Sequence, residues 1–217
     1  PGITSCLRLI DKPALTLWKQ RQAIMAALTL PRRETEPEGE WMARIENDMG
    51  ETAKKAAEEG TMLHKAIECH LQGSEPLYPA RFHPYAESVS AYLDGIDPSG
   101  GWVCEQSGSH RWGYGTKADL HNSNWLIDFK SKDGGQSEID AAKLYDEHHM
   151  QLAATLAMLG LDHPLRCGIL FVSRTEPGVQ RLVESTPADL QRGLSMFRTT
   201  LTLWQQKNRY RPSWARD

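Results

Sequence analysis

Between Gly115 and Lys130 the chain sets four charged residues into runs otherwise suited to a sheet interior: Gly115-Thr116-Lys117-Ala118-Asp119-Leu120, His121-Asn122-Ser123-Asn124, and Trp125-Leu126-Ile127-Asp128-Phe129-Lys130. The outer segments are β-prone and the middle one is turn-forming, which predicts a hairpin. Strand side chains alternate faces, so Leu126, Asp128 and Lys130 share one face and Ile127 and Phe129 the other. With the turn centred on Asn122-Ser123, Asp119 lies opposite Leu126 and diagonal to Asp128, with the two Cα atoms roughly 7–8 Å apart on one face. An odd-length turn would move Asp119 to the other face. Carboxylates this close resist joint ionisation unless a cation or an ammonium neutralises them. That is the arrangement metal-assisted hydrolysis uses: the metal polarises a phosphoryl oxygen and acidifies a bound water, and an ammonium stabilises the developing charge.

Around this hairpin the apolar pattern is first helical, then extended, then mixed. Leu15 to Leu30 reads as a helix after Asp11-Lys12-Pro13, residues 31–40 as a loop, and a second helix runs through Trp41-Met42-Ala43-Arg44-Ile45. Thr61 is a suitable N-cap for a third helix, in which Leu63, Ile67 and Leu71 form an apolar stripe beside His64 and Glu68. A further helix is expected from Pro84 to Leu93. Three antiparallel strands follow at Trp102–Glu105, Trp112–Leu120 and Trp125–Lys130. Then come a helix from Glu138 to Leu159 stopped by Gly160, a strand from Leu165 to Val172, and a pairing segment from Gln180 to Val183. Thr186 and Pro187 open a last helix whose Leu190, Leu194, Phe197, Leu201 and Trp204 face inward. The expectation is an α/β fold with a central mixed sheet flanked by helices. It forms a single domain over residues 1–217, mainly helical over 1–95 and carrying the sheet core over 96–217.

A chain of 217 residues with 40% hydrophobic content can bury one sizeable core. No apolar run has the length of a membrane span, and no leader precedes the first helix, so the default reading is a cytoplasmic protein without a membrane partner. Cys6, Cys69, Cys104 and Cys167 show no C-x-x-C spacing, which argues against a zinc knuckle, an iron–sulfur ligand set or a disulfide scaffold; they read as buried thiols. The net charge of −3 is low for a nucleic-acid binder, whose phosphate contacts need clustered Lys and Arg. His110, His121, His148 and His149 lack zinc-site spacing and read as solvent-facing. Trp112 and Tyr114 have either of two roles, stacking on the bases of a single strand or filling the core.

The ordered series Gly60-Thr61-Met62-Leu63-His64, Gly115-Thr116-Lys117-Ala118-Asp119, Asp128-Phe129-Lys130 and the helical Gln151 resembles the signature of RecB-like exonucleases in the PD-(D/E)xK nuclease superfamily, similar to phage-encoded and mitochondrial genome-maintenance exonucleases. The opening Leu9-Ile10-Asp11-Lys12-Pro13-Ala14-Leu15 is similar to the phage enzymes. The resemblance implies a restriction-endonuclease-like core, with His64, Asp119, Asp128 and the Phe129 backbone carbonyl as ligands of Mg²⁺ or Mn²⁺. It makes Lys130 the catalytic lysine and Gln151 the residue that orients the site or the scissile phosphate, and it implies no iron–sulfur cluster. Position 155 departs from the pattern, since Thr155 stands where relatives carry tyrosine.

Glu68 is placed to hold the His64 tautomer, and Lys117, Ser131, Lys132 and Lys143 to contact the DNA backbone. The expected activity is metal-dependent hydrolysis of DNA from free ends, single- or double-stranded, in replication, recombination or repair. A partner protein of those processes is implied, with the host-cell cytoplasm as location if the chain is phage-encoded. The alternatives are a catalytically silent nucleic-acid-binding module and a nuclease subunit active only with its partner. Each residue also has a plainer role: a surface ion pair for Asp128 and Lys130, a structural histidine for His64, a helix-surface amide for Gln151.

Overall fold

The computed structural model describes residues 1–160 and 165–216 and divides them into two compact units, Asp11–Thr61 and the remainder, Pro1–Ile10 with Met62–Asp217. The unit Asp11–Thr61 holds helix α2 (Pro13–Thr29) and the first part of α3 (Glu38–Gln72). The loop between them is fixed from within, because Glu36 accepts Arg44 Nη2 at 2.8 Å and Trp41 Nε1 donates to the Leu30 carbonyl at 2.7 Å. Arg44 and the Arg33 amide hold the Glu36 carboxyl down to about 2.

The larger unit is built on a five-stranded mixed sheet in the order β1 (Val103–His110), β2 (Tyr114–His121), β3 (Trp125–Lys132), β4 (Arg166–Ser173) and β5 (Gln180–Ser185). β3 and β4 are parallel and the other neighbours antiparallel. One face is covered by the end of α3 and by α4 (His83–Ile96): Leu63, Ile67, Val89 and Leu93 pack on Leu120, Ile127, Phe129 and Leu170. The other face is covered by α5 (Gln136–Asp140) and α6 (Asp146–Leu159), where Ile139 and Leu152 meet Leu126, Cys167, Ile169 and Phe171. A third cluster joins α1 (Ile3–Cys6), α6 and α7 (Pro187–Asn208) to Tyr114. The α/β class, the mixed sheet and the alternation of β3 are as the sequence predicts. No helix of the described residues is long and apolar enough to cross a membrane.

Four expectations are corrected. The second and third helices are one 35-residue helix, because the Thr61 hydroxyl bonds back to the Ala57 carbonyl at 2.9 Å instead of capping a new start. The helix expected over Glu138–Leu159 is two, since Arg181 of β5 takes the Asp140 and Ala142 carbonyls and Tyr145, in extended conformation, donates its N–H to His148 Nδ1 to begin α6. β1 runs on to His110 through Gln106-Ser107-Gly108-Ser109, a polar run that edge pairing with β2 keeps in the sheet. His121 and His149 are buried, hydrogen-bonded to Gln106 and to Ser185 respectively, where exposure was expected. Cys6, Cys69 and Cys167 are buried and Cys104 half-buried, all as free thiols.

Candidate active site

The hairpin that carries the acidic residues turns one residue later than the sequence predicts. The Asn122 N–H donates to the Trp125 carbonyl at 2.9 Å, and the ladder pairs His121 with Leu126 and Leu120 with Ile127. The turn is therefore centred on Ser123-Asn124, and Asp119 falls level with Asp128 itself. The cause is the Asn122 side chain. Its oxygen accepts the N–H groups of Asn124 and Trp125 at 2.9 and 2.8 Å, while its amide donates to Asp97 and to the Gly100 carbonyl, each at 3.0 Å. Asp97 also takes the Ser99 amide and hydroxyl and the Asn124 amide, which hold its carboxyl down to about 2. Sequence reasoning missed this anchor. Asp97-Pro98-Ser99-Gly100 announces a turn, but its partner Asn122 is 25 residues away.

Beyond Leu120 and Ile127 the two strands part, and Asp119 sits in the fork. Its carboxylate accepts the Phe129 N–H at 3.0 Å, satisfying an amide that the opened ladder leaves without a strand partner. His64, on the flank of the buried Leu63–Ile67 stripe of α3, brings Nδ1 to 3.8 Å from the same carboxylate oxygen and packs its ring edge-on against Phe129 at 5.7 Å. Asp128, only 8% exposed, is held from both sides: Lys130 Nζ donates to one carboxylate oxygen at 2.5 Å and Gln151 of α6 to the other at 2.6 Å. Asp119, Asp128, Gln151, Lys117 and Thr155 line one narrow cleft. Thr155, at the position of the missing tyrosine, is therefore part of the site wall.

The electrostatics follow from burial in company. Asp119 is pushed up to about 7 by desolvation and then by the neighbouring Asp128 charge, against the Phe129 N–H, Lys130 and Lys117, which favour ionisation. Burial lowers the His64 pKa and keeps the ring neutral, the form a metal ligand needs, although Asp128 and the Phe129 backbone pull the other way. Desolvation of Lys130 is outweighed by Asp128, so its ammonium is retained.

Among the described residues no three His, Cys, Asp or Glu side chains converge as a ready metal cage. Both Asp128 oxygens face Lys130 and Gln151, and Asp119 faces His64. The chemistry of the donors nevertheless suits a hard divalent ion: two close carboxylates, one of them pushed up to about 7 and so relieved by a bound cation, and one neutral imidazole.

The remaining candidates are dispersed. Glu68 is ion-paired with Lys65 at 3.0 Å, so it is not placed to hold the His64 tautomer as expected. Lys117 pairs with Glu105 beside the cleft, and Glu105 adopts a left-handed φ of 58°. Ser131 is half-buried on β3 at the level of Val172. Lys132 lies over the Phe171 ring at 6.0 Å, and Lys143 over Tyr145 at 5.7 Å. Tyr114 is core: it is 1% exposed and donates its hydroxyl to the Ala154 carbonyl at 2.8 Å.

No protein-family model matches the chain, and no curated protein matches it. Among solved structures it is similar to an alkaline exonuclease from Laribacter hongkongensis, with a TM-score of 0.36 and 15% identity over 68% of this chain and 83% of that one. The same exonuclease in complex with dAMP gives a TM-score of 0.38 and 16% identity over 68% and 80%.

Proposed function

We propose that the chain is a metal-dependent deoxyribonuclease that acts from DNA ends, a RecB-like member of the PD-(D/E)xK nucleases. The observation that supports it best is the fork between β2 and β3. There the half-buried Asp119 and the buried Asp128 stand at the same level, and Lys130 and Gln151 are committed to Asp128. A protein that needed only stability would not hold two carboxylates together in a desolvated cleft. Asp119, Asp128, His64 and the Phe129 carbonyl would hold Mg²⁺ or Mn²⁺, which when bound polarises a phosphoryl oxygen and acidifies a water.

The protein groups have separable parts. Gln151 fixes the rotamer of Asp128. Lys130, kept cationic by Asp128, presents its ammonium to the charge that develops on the phosphoryl oxygens. His64 stays neutral beside Asp119. Lys117, on the cleft wall, and Lys132, two residues beyond Lys130 on β3, would serve as phosphate contacts, and the action from DNA ends rests on the likeness of the sequence motifs.

The test is degradation of end-labelled linear single- and double-stranded DNA, with a circular control, in Mg²⁺, Mn²⁺ and EDTA. Linear DNA should be shortened only with metal, and Lys130→Ala should slow it by about 100-fold or more while oligonucleotide binding persists. Cutting of the circle overturns the end requirement. Absence of hydrolysis by the unaltered chain with any divalent ion overturns the enzyme reading.

A further inference from the structure

The charge of this chain is segregated. Residues 1–10, 106–116 and 193–216 contain seven Lys and Arg and no Asp or Glu, so with an overall formal charge of −3 the rest of the chain carries −10. The fold brings these three segments to one end of the sheet unit. Ile3 and Leu7 pack with Phe197 and Leu201 of α7 against Tyr114, and the Gly115 N–H donates to the Pro1 carbonyl at 2.9 Å. Gln205 of α7 donates to the Trp112 carbonyl at 2.9 Å, and Arg198 lies over the Trp112 ring at 5.0 Å. α7 ends at Arg209 in a left-handed conformation, φ 48°, and the chain then doubles back over the β1–β2 turn, where the Arg216 N–H meets the Arg111 carbonyl at 2.6 Å. Gly113, with φ 89°, makes room: a Cβ there would lie 2.8 Å from Ala215 and 3.0 Å from Pro212.

The result is an exposed surface bearing Arg8, Arg111, Arg198, Arg209 and Arg216. Among the described residues none of these five has a carboxylate within ion-pair distance, whereas elsewhere on the sheet Lys117, Lys130, Arg174 and Arg166 are paired with Glu105, Asp128, Asp133 and Glu184. Two large aromatic residues stand out of the same surface, Tyr210 at 52% and Trp214 at 51% exposure. Cations without acids attract a polyanion. Exposed aromatic faces among them fit unpaired bases, which stack without sequence preference. A duplex keeps its base faces inside, and the patch has no apolar helix face of the kind that inserts below a lipid headgroup layer.

We propose that this end is a binding surface for single-stranded nucleic acid, with the arginines on phosphates and Tyr210 and Trp214 on bases. It lies about 17 Å along β2 from Asp119, taking five residues at ~3.3 Å each. Its binding is independent of whether the cleft hydrolyses DNA.

The test is the affinity of a fluorescent 30-nucleotide oligo(dT) for the full chain in EDTA across a salt series, beside a duplex of equal length and phosphatidylserine vesicles. The triple variant Arg8→Gln/Arg209→Gly/Arg216→Gln removes three charges, and the glycine suits the left-handed position. Its plot of log K against log salt should be shallower by about 2, from ~0.7 per lost single-strand phosphate contact, with binding weakened roughly 10- to 100-fold near 0.1 M salt. The corresponding triple lysine variant should keep the slope, and Trp214→Ala should weaken binding about 5-fold or more. The proposal is overturned if the glutamine/glycine variant binds oligo(dT) with unchanged affinity and slope. It is equally overturned if the duplex or the vesicles bind more tightly than the single strand, or if the unaltered chain does not bind oligo(dT).

Discussion

Replacing Asp119 with asparagine should make the metal-free protein more stable at neutral pH while removing its activity. The carboxyl is pushed up from 3.8 to about 7, chiefly by desolvation and then by the Asp128 charge. Between those values the folded chain keeps a proton that the unfolded chain has released, so stability falls as pH rises from about 4 to about 7 and is then flat. About three pKa units at 1.36 kcal/mol each set the full loss on the order of 4 kcal/mol. Asparagine carries no charge and keeps an oxygen for the Phe129 N–H, so it removes the repulsion without orphaning the amide. In urea unfolding with EDTA, the variant and the parent should be nearly equal at pH 4.5. At pH 8 the variant should be ahead by a few kcal/mol. Saturating Mg²⁺ should narrow the gap by stabilising only the parent. A gap at pH 8 below about 1 kcal/mol, or a gap that does not change with pH, would refute the reasoning.

Other positions test how the site is held. Gly193 of α7 lies so close to α6 that a Cβ there would stand 2.6 Å from the His149 carbonyl carbon and 2.9 Å from the Met150 nitrogen. Gly193→Ala should therefore destabilise by about 1–3 kcal/mol in urea unfolding and, by shifting the helix that carries Gln151, reduce activity. Gly50→Ala is the control, because nothing lies within 4 Å of its added Cβ and it sits mid-helix in α3; it should be stabilising by up to ~1 kcal/mol. Asn122→Ala removes two donated and two accepted hydrogen bonds at the hairpin turn. A loss of about 2 kcal/mol or more is expected in the same assay, and a loss below 0.5 kcal/mol would mean that the ladder alone sets the turn.

What was legible in the sequence was what depends on period and on near neighbours. The two faces of β3 could be read from alternation alone, and Leu126 and Ile127 do pack in different clusters. Thr186 caps α7 as expected, its hydroxyl accepting the Asp189 N–H at 3.1 Å. What was not legible depended on distant partners. The turn shifted by one residue because Asn122 is held by Asp97, and the break between α5 and α6 depends on an arginine in β5. Glu68 went to Lys65 because both lie on one helix face three residues apart, a local alternative to His64 that spacing could not decide. The one-residue shift of the turn left Asp119 on the expected face and brought it level with Asp128, tightening the repulsion instead of abolishing it.

The fork also explains how a central sheet can tolerate such a site. β3 pairs with β4 along its whole length, from Trp125 with Arg166 to Lys132 with Ser173, whereas its ladder to β2 ends after two pairs. An opening of that kind would ordinarily leave a buried amide unsatisfied, and the Asp119 carboxylate fills the role by accepting the Phe129 N–H. The acceptor is thus at once a structural plug and a carboxyl pushed up by its surroundings. Its neighbour Asp128 is tied to Lys130 on the same strand and to Gln151 across the sheet face, so neither acid can retreat to solvent without breaking contacts of the core. Stability alone would be better served at neutral pH by an asparagine in the fork. The retention of an acid there is the feature that packing does not account for and that binding of a cation would.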